Sequence, residues 1–315
     1  MKRTSVIILI LLSICTSGSA ECWHRRQSRA DRISAVMQDP ESDYVIVVAH
    51  RGDWRHAPEN SIPAIEGVIA MEADIVELDV HRTKDGVLVL SHDGDIGRCT
   101  DGKGKIKEMT FDELKDYHLK DDKGNVVDSL HILTLRDALL CCKDRICVNL
   151  DKGYGYYDEI LALTEELGVT RQVLIKSGIS AHRADSTMAC HRHNMLFMPV
   201  VSIQKEKHRI MTDEYLSGNV PIAFEICLNT WDDGYFESYA SKVVKAKSKV
   251  WVNTLWPSIS GGPGTDDKSA WEGDSPLGPE AVYGRLLDHG VSLIQTDNPA
   301  ELIQWLKSKG RHTLK

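Results

Sequence analysis

The sequence predicts an α/β protein of the (β/α)8 TIM-barrel class, and three observations carry that expectation. Short apolar runs recur at 45–50, 75–80, 87–92, 146–151, 173–177, 196–202, 222–227, 250–255 and 291–296, nine in all. Helical patterns separate most of them, at 157–167, 181–193, 236–247 and 280–289, an alternation that argues a parallel sheet with right-handed crossovers. The third observation lowers the count to eight. In IVELDVHRTKDGVLVLSHD, residues 75–93, the pair Asp85-Gly86 stands between two alternating segments. That is a strong hairpin signal, because Gly accepts the positive φ of a tight turn. Run 87–92 is then an antiparallel return, and eight parallel strands close a barrel whose site lies at their C-terminal ends.

The chain opens with a segment expected to stand apart from the fold. Lys2 and Arg3, the apolar run 6–12 and the small residues Gly18-Ser19-Ala20 follow the order of an export leader, placing 1–20 outside the mature domain. The apolar run is too short to span a bilayer. A periplasmic or secreted location follows; a lipoprotein anchor fits less well, because Ile14 and Glu21 precede Cys15 and Cys22. Residues 21–43 read as a linker with a first amphipathic helix near 31–37, and 44–309 as the barrel.

Length and composition agree with one large domain. The chain has 315 residues, 42% of them hydrophobic and 27% charged, enough for a substantial core. A formal net charge of −8 excludes a broad basic surface for nucleic acid, so an anionic substrate must be attracted locally by a metal or a few cations. The eight cysteines show neither a disulfide framework nor CxxC spacing, and Cys141, Cys142 and Cys147 read as small core residues.

Within the barrel, YVIVVAH at 44–50 is a strand buried on both faces. A loop, RGDWRHAPEN, leads to a helix over 61–71 capped by Asn60 or Ser61, with Pro63 in its first turn. Residues from about 94 to 140 read as an insertion after the second-strand hairpin, with a capping box opening at Thr110 and a helix over 135–142. A Gly/Ser/Asp/Pro-rich loop over 258–278 follows the seventh barrel strand and is expected over the mouth.

The strand ends gather chemistry. His50 and Arg51 close the first strand, Glu77 and Asp79 lie on one face of the second, and its hairpin returns His92 beside them. The third strand ends at Asp151-Lys152, the sixth holds Glu225, and the seventh carries Trp251 and Asn253. A core face would carry Val or Leu at these positions, because an unpaired buried carboxylate is costly, so the carboxylates mark a site. Glu77, Asp79 and Asp151 offer hard oxygen ligands suited to Ca²⁺ or Mg²⁺. Two imidazoles suit general acid and base, and Arg51 and Lys152 suit phosphate oxygens. Glu225 and Trp251 read as pocket residues that contact substrate, and Glu59, in a Pro-Glu-Asn turn, as a ligand or as a brace for Arg51.

Taken in order, Ala49-His50-Arg51-Gly52, Pro58-Glu59-Asn60-Ser61, Glu77-Leu78-Asp79-Val80, Thr83-Lys84-Asp85-Gly86 and His92-Asp93 resemble the signature of the glycerophosphodiester phosphodiesterase family. Thr296-Asp297-Asn298-Pro299 resembles that family's last barrel strand, so the resemblance spans about 45–305. It implies a (β/α)8 barrel with an insertion after His-Asp, a divalent metal, and hydrolysis of glycerophosphodiesters to glycerol 3-phosphate and an alcohol. By position it implies His50 and His92 as the acid/base pair, Glu77 and Asp79 as metal ligands, and Arg51 as a phosphate contact. The chain departs from the pattern at Asp151-Lys152, where the family has Glu-x-Lys. It departs again at Trp251-Val252-Asn253-Thr254, where the family has Trp-Thr-Val-Asn. Two other readings stay open: a related barrel chemistry that ejects the alcohol and leaves a cyclic phosphate, and an exported binding protein without catalysis. The partner expected is a small phosphodiester, with no nucleic acid and no transmembrane span.

Overall fold

Eight parallel strands form the wall of the molecule, and alternation along each decides what fills it. A computed structural model describes residues 27–190, 195–228, 234–255 and 278–314. The 1–20 leader, Cys15, Cys22, most of the 258–278 loop and the end of the 181–193 helix lie outside the described residues.

The wall comprises β1 (Ile46–Ala49), β2 (Ile75–Arg82), β6 (Cys147–Asp151), β7 (Val173–Ser177), β8 (Leu196–Ser202), β9 (Ala223–Cys227), β10 (Lys249–Thr254) and β11 (Val291–Thr296). Its order is β1-β11-β10-β9-β8-β7-β6-β2, and pairing of β1 with β2 closes it. β3 (Leu88–Leu90) is the antiparallel return of the hairpin, with Val80 opposite Leu90 and Arg82 opposite Leu88. The Asp85-Gly86 turn thus sets the expected register, and Gly86 takes φ +90°.

Outward residues Val47, Leu78, Leu150, Ile175, Ile226 and Ile294 pack in one large core beneath the helices. These include α2 (Ile62–Ala70), α4 (Leu135–Cys142), α5 (Tyr157–Leu167), α6 (Ala181–Cys190), α7 (Glu206–Ser217), α8 (Tyr235–Lys245) and α10 (Pro299–Ser308). α9 (Arg285–Asp288) continues a π-helical turn over 280–284. Ser61 caps α2 by accepting from Ala64 N, as expected. α7 has no counterpart in the sequence reading. Its buried side chains are Met211, Thr212 and Tyr215, too few apolar positions to write a clear stripe.

Inward residues form two layers. The lower layer, Ile46, Ile75, Cys147, Leu174, Leu196, Ala223, Trp251 and Leu293, joins Ala30, Ile33 and Met37 of α1 (Arg29–Gln38) in a second cluster. α1 therefore plugs the end at which the strands begin. Two residues further along, the inward positions turn polar on six of the eight strands, at Glu77, Asn149, Lys176, Glu225, Asn253 and Gln295, while Val48 and Met198 stay with the apolar cluster.

Residues 94–134 form a small unit around Ile96, Ile106, Leu114, Leu119 and Ile132, a cluster that Val89 of β3 completes. It contains α3 (Phe111–Leu114), opened by a Thr110–Glu113 capping box, and a two-stranded sheet of β4 (His118–Lys120) and β5 (Val126–His131). Leu135, Ala138, Leu139 and Cys142 of α4 pack in the main core instead, so α4 is a barrel helix. Cys99, Cys141, Cys142, Cys147 and Cys227 are free thiols.

A buried polar knot holds α1 to the barrel floor. Asp74, fully buried, accepts from Tyr44 Oη at 2.8 Å, from Val47 N at 2.9 Å and from Arg29 Nη2 at 3.2 Å. Asp74→Ala leaves three donors without their acceptor and is expected to cost about 2–4 kcal/mol of stability. Denaturant unfolding checks this; a loss below about 1 kcal/mol means that the knot contributes little.

Candidate active site

The polar layer and the loops after the strands build one site at the barrel's C-terminal end. Glu77 and Asp79 on β2 are in register with Asn149 and Asp151 on β6, so carboxylates from neighbouring strands face each other. One ligand oxygen from each of Glu77, Asp79 and Asp151 lies within 4.8 Å of the other two, so the three could hold a cation together. Glu77 and Asp79 are buried, and Asp151 is partly exposed toward the mouth.

Electrostatics separate the two buried carboxylates. Burial, with the Asp79 and Asp151 charges added, pushes Glu77 up to about 7. Burial opposes ionisation of Asp79 as well, but Lys152, Arg51 and His92 outweigh it and hold Asp79 below the usual carboxylate range. Lys152 Nζ donates to Asp79 Oδ1 at 2.6 Å and to the His92 carbonyl at 2.8 Å. Asn60 Nδ2 donates to Asp79 Oδ2 at 3.1 Å, and Asn60 Oδ1 accepts from the Asp79 amide at 3.0 Å.

The Asp-Lys departure is resolved by backbone conformation. Adjacent residues of a strand point to opposite faces, so Asp151 and Lys152 cannot both reach the mouth while the chain stays extended. Lys152 takes φ 61°, ψ −3°, ending the strand and turning its side chain back over β2. Arg51 and Asn60 likewise have left-handed φ values of 53° and 58°, conformations that cost energy for a non-glycine residue and gather at functional sites. After Arg51 the chain passes so near α2 that a Cβ on Gly52 (φ +77°) would lie 2.9 Å from the Ala64 backbone carbon.

Each histidine leans on a carboxylate. His50 Nδ1 lies 2.9 Å from Asp297 Oδ1, which also accepts from Trp54 Nε1 at 2.7 Å. His92 Nδ1 lies 2.6 Å from Asp93 Oδ1. An ionised carboxylate only accepts, so Nδ1 carries the proton in each ring and Nε2 is the basic nitrogen of the neutral form. Arg51 donates its amide to Glu77 Oε2 at 3.0 Å and Nη1 to Glu59 Oε2 at 3.2 Å. Glu59 thus braces Arg51.

Two expected pocket residues sit deeper than the sequence reading placed them. Trp251, expected to contact substrate, is fully buried in the lower layer, and its indole N–H donates to Asn253 Oδ1 at 2.8 Å. It supports the polar layer from beneath, because its inward position falls one step too low on β10 to reach the mouth. Glu225 is buried as well, accepting from Asn253 Nδ2 at 2.7 Å and lying 3.1 Å from Lys176 Nζ.

Lys176 was not singled out in the sequence, although a charge inside the apolar run VLIKS was its signal. It is 3.9 Å from Asp151 Oδ1. Burial would lower its pKa, but the Glu225, Asp151 and Glu77 charges raise it above the ordinary lysine value. Asp93 and Asp297 lie in motifs quoted above, but their pairing with His92 and His50, and the contacts of Arg98, emerge only in the structure.

A family model described as the glycerophosphoryl diester phosphodiesterase family matches residues 50–215, more than half of the chain. The chain belongs to this family, the glycerophosphodiester phosphodiesterases. A second model, a domain of unknown function, matches residues 197–306. Among curated relatives, a glycerophosphodiester phosphodiesterase of Caldanaerobacter subterraneus is 32% identical over 139 residues, 42% of this chain and 57% of that one. One of Bacillus subtilis is 41% identical over 115 residues, 36% of this chain and 37% of that one. The chain thus matches little more than half of the former's length and about a third of the latter's.

Similar solved structures cover more. A glycerophosphoryl diester phosphodiesterase of Parabacteroides distasonis aligns with a TM-score of 0.70 at 21% identity, over 90% of this chain and 93% of that one. An Oleispira antarctica phosphodiesterase, in complex with the product sn-glycerol-3-phosphate, aligns with a TM-score of 0.61 at 22% identity, over 83% of this chain and 96% of that one. These establish the barrel as the fold of this chain.

Proposed function

We propose that this chain hydrolyses glycerophosphodiesters to glycerol 3-phosphate and an alcohol, with a divalent cation held by Glu77, Asp79 and Asp151. One observation carries the reading: two carboxylate-backed histidines, two cations and a triad of oxygen ligands converge at the strand ends of a barrel in this family. The donor set fits the metal. Burial, with the Asp79 and Asp151 charges added, lifts Glu77 to about 7, and a cation among the three carboxylates would favour its ionised form. The set contains only oxygen and no thiolate, favouring Ca²⁺ or Mg²⁺ over zinc. Such an ion supplies Lewis-acid polarisation of a phosphoryl oxygen.

The remaining chemistry belongs to the side chains. Arg51 and Lys152 bind and orient the phosphate oxygens at the mouth, offsetting charge as the phosphorus is attacked. One imidazole takes a proton from the attacking water through Nε2, and the other gives its Nε2 proton to the departing alcohol oxygen. The P–O bond to the alcohol breaks as the bond to water oxygen forms, and the histidines end with exchanged protonation states. Asp297 and Asp93 hold the rings and stabilise whichever is charged.

The experiment that tests the reading is a product-resolved assay with glycerophosphocholine and Ca²⁺ or Mg²⁺. Glycerol 3-phosphate and choline in equal amounts are expected. A cyclic phosphate would assign the barrel to the alcohol-ejecting chemistry, and no turnover across a panel of glycerophosphodiesters would favour a binding protein.

Asp151 tests the triad at its exposed corner. Asp151→Asn is expected to raise the metal concentration for half-maximal activity at least tenfold, whereas Asp151→Glu keeps much of the affinity. An Asp151→Asn titration superimposed on wild type would reduce the site to two carboxylates.

A further inference from the structure

The loop after β3 sends one arginine across both arms of the site. Arg98 Nη1 and Nη2 donate to Glu59 Oε2 and Oε1 at 3.0 and 2.8 Å, and Arg98 Nε donates to Asp93 Oδ2 at 2.6 Å. Glu59 Oε2 also accepts from Arg51, and the other oxygen of Asp93 receives His92 Nδ1. A continuous chain results, His92–Asp93–Arg98–Glu59–Arg51, in which carboxylates alternate with cationic or proton-donating groups.

Two physical arguments say that this arrangement serves position rather than stability. The Arg98 side chain is 47% exposed, and half-exposed ion pairs contribute little to folding. Its geometry is nevertheless that of a planar fork filled on one edge and at Nε, which fixes two carboxylates relative to one another as an ammonium cannot. Burial opposes ionisation of both carboxylates, but Arg98 keeps Glu59 and Asp93 below their ordinary values, so both stay charged toward their second partners. Arg98 also stands at the root of the 94–134 unit: Thr100 Oγ1 bonds the carbonyl of Ile96, and Ile96 belongs to that unit's core.

We infer that Arg98 is a positioning residue that registers the acid/base imidazole of His92 against the phosphate-binding Arg51, and that the 94–134 unit anchors it there. The inference rests on the reading of His92 and Arg51 given above. It makes the small unit part of the active-site framework, coupling its folding to catalysis.

The test separates the two arms. Asp93→Asn should mainly lower kcat, because it loosens His92, and Glu59→Gln should mainly raise KM, because it loosens Arg51. Arg98→Gln should do both, lowering kcat/KM about 10–100-fold. Added to Asp93→Asn it should lower kcat little further, since both act on one ring. Arg98→Lys keeps the charge without the fork and should recover only a fraction. A second readout needs no turnover: in imidazole-labelled protein the His92 Nδ1 proton should be sharp in wild type and broadened by exchange in Arg98→Gln. Wild-type protein that turns over no glycerophosphodiester would sink the functional reading while leaving the resonance to judge the clamp. Active wild type with kcat, KM and resonance all unchanged in Arg98→Gln overturns the inference. If Arg98→Gln does not fold, Arg98→Lys decides: changes in both kcat and KM support the clamp, and changes in neither overturn it.

Discussion

Alanine at His50 or at His92 is expected to lower turnover about 10²–10⁴-fold, with substrate affinity changed far less. In the proposed mechanism both rings act on protons in flight, so their contribution is largest in the transition state. The Nδ1 contacts to Asp297 at 2.9 Å and Asp93 at 2.6 Å say which nitrogen works. They also make a secondary prediction: Asp297→Asn and Asp93→Asn lower kcat in the same direction, by permitting the wrong tautomer. The double alanine variant should lose much less than the product of the single losses, because the two rings serve one step. Steady-state kinetics on glycerophosphocholine, with unfolding curves to confirm structure, measure this. A single variant within about threefold of wild type would remove that histidine from the mechanism.

Removal of divalent metal is expected to abolish activity, and Ca²⁺ or Mg²⁺ to restore it. Asp79→Asn and Glu77→Gln should each prevent that restoration at ordinary metal concentrations. The sign of the pH dependence follows from Glu77. Its carboxyl is raised to about 7 by burial and by the Asp79 and Asp151 charges, and a cation binds only the ionised form. Metal affinity should therefore weaken as pH falls through about 7. In metal-free protein the same group acts oppositely: with the folded pKa above the unfolded one, ionising Glu77 in place costs stability as pH rises from the ordinary carboxylate range to about 7, above which the cost is constant. The rise in melting temperature on adding Ca²⁺ should accordingly be larger at pH 8 than at pH 6. Calorimetric titration and thermal unfolding at the two pH values check both statements. Full turnover in excess chelator, with metal content verified as nil, refutes the metal centre, and an equal metal-induced shift at both pH values refutes the role given to Glu77.

Much of this was legible because period-2 patterning is local. Ile75, Glu77 and Asp79 share a face whatever the rest of the chain does, and Asp85-Gly86 sets the register that returns His92 to their side. Strand boundaries were legible for the same reason, since runs such as YVIVVAH stay apolar on both faces only inside a covered parallel sheet. α7 was missed because three buried side chains do not make a readable stripe. The end of the small unit was misplaced because an α4 packed on the barrel and one packed on the insertion have the same sequence pattern.

What the sequence determined by itself is the order of strands, the face each residue takes, and the identity of the groups brought to the mouth. Depth was left to the tertiary structure. Alternation says that Trp251 and Glu225 point inward but not how far along the axis, which depends on the stagger between neighbouring strands. That stagger seals Trp251 in the apolar layer and pairs Glu225 with Lys176. Partnership was also left to it. His50 and Asp297 are 247 residues apart, and Arg98 finds Glu59 from 39 residues away. No periodicity encodes such pairs, because they exist only after closure of β1 onto β11 and β2 brings distant strand ends around one axis, where burial makes an unpaired charge too costly to leave alone.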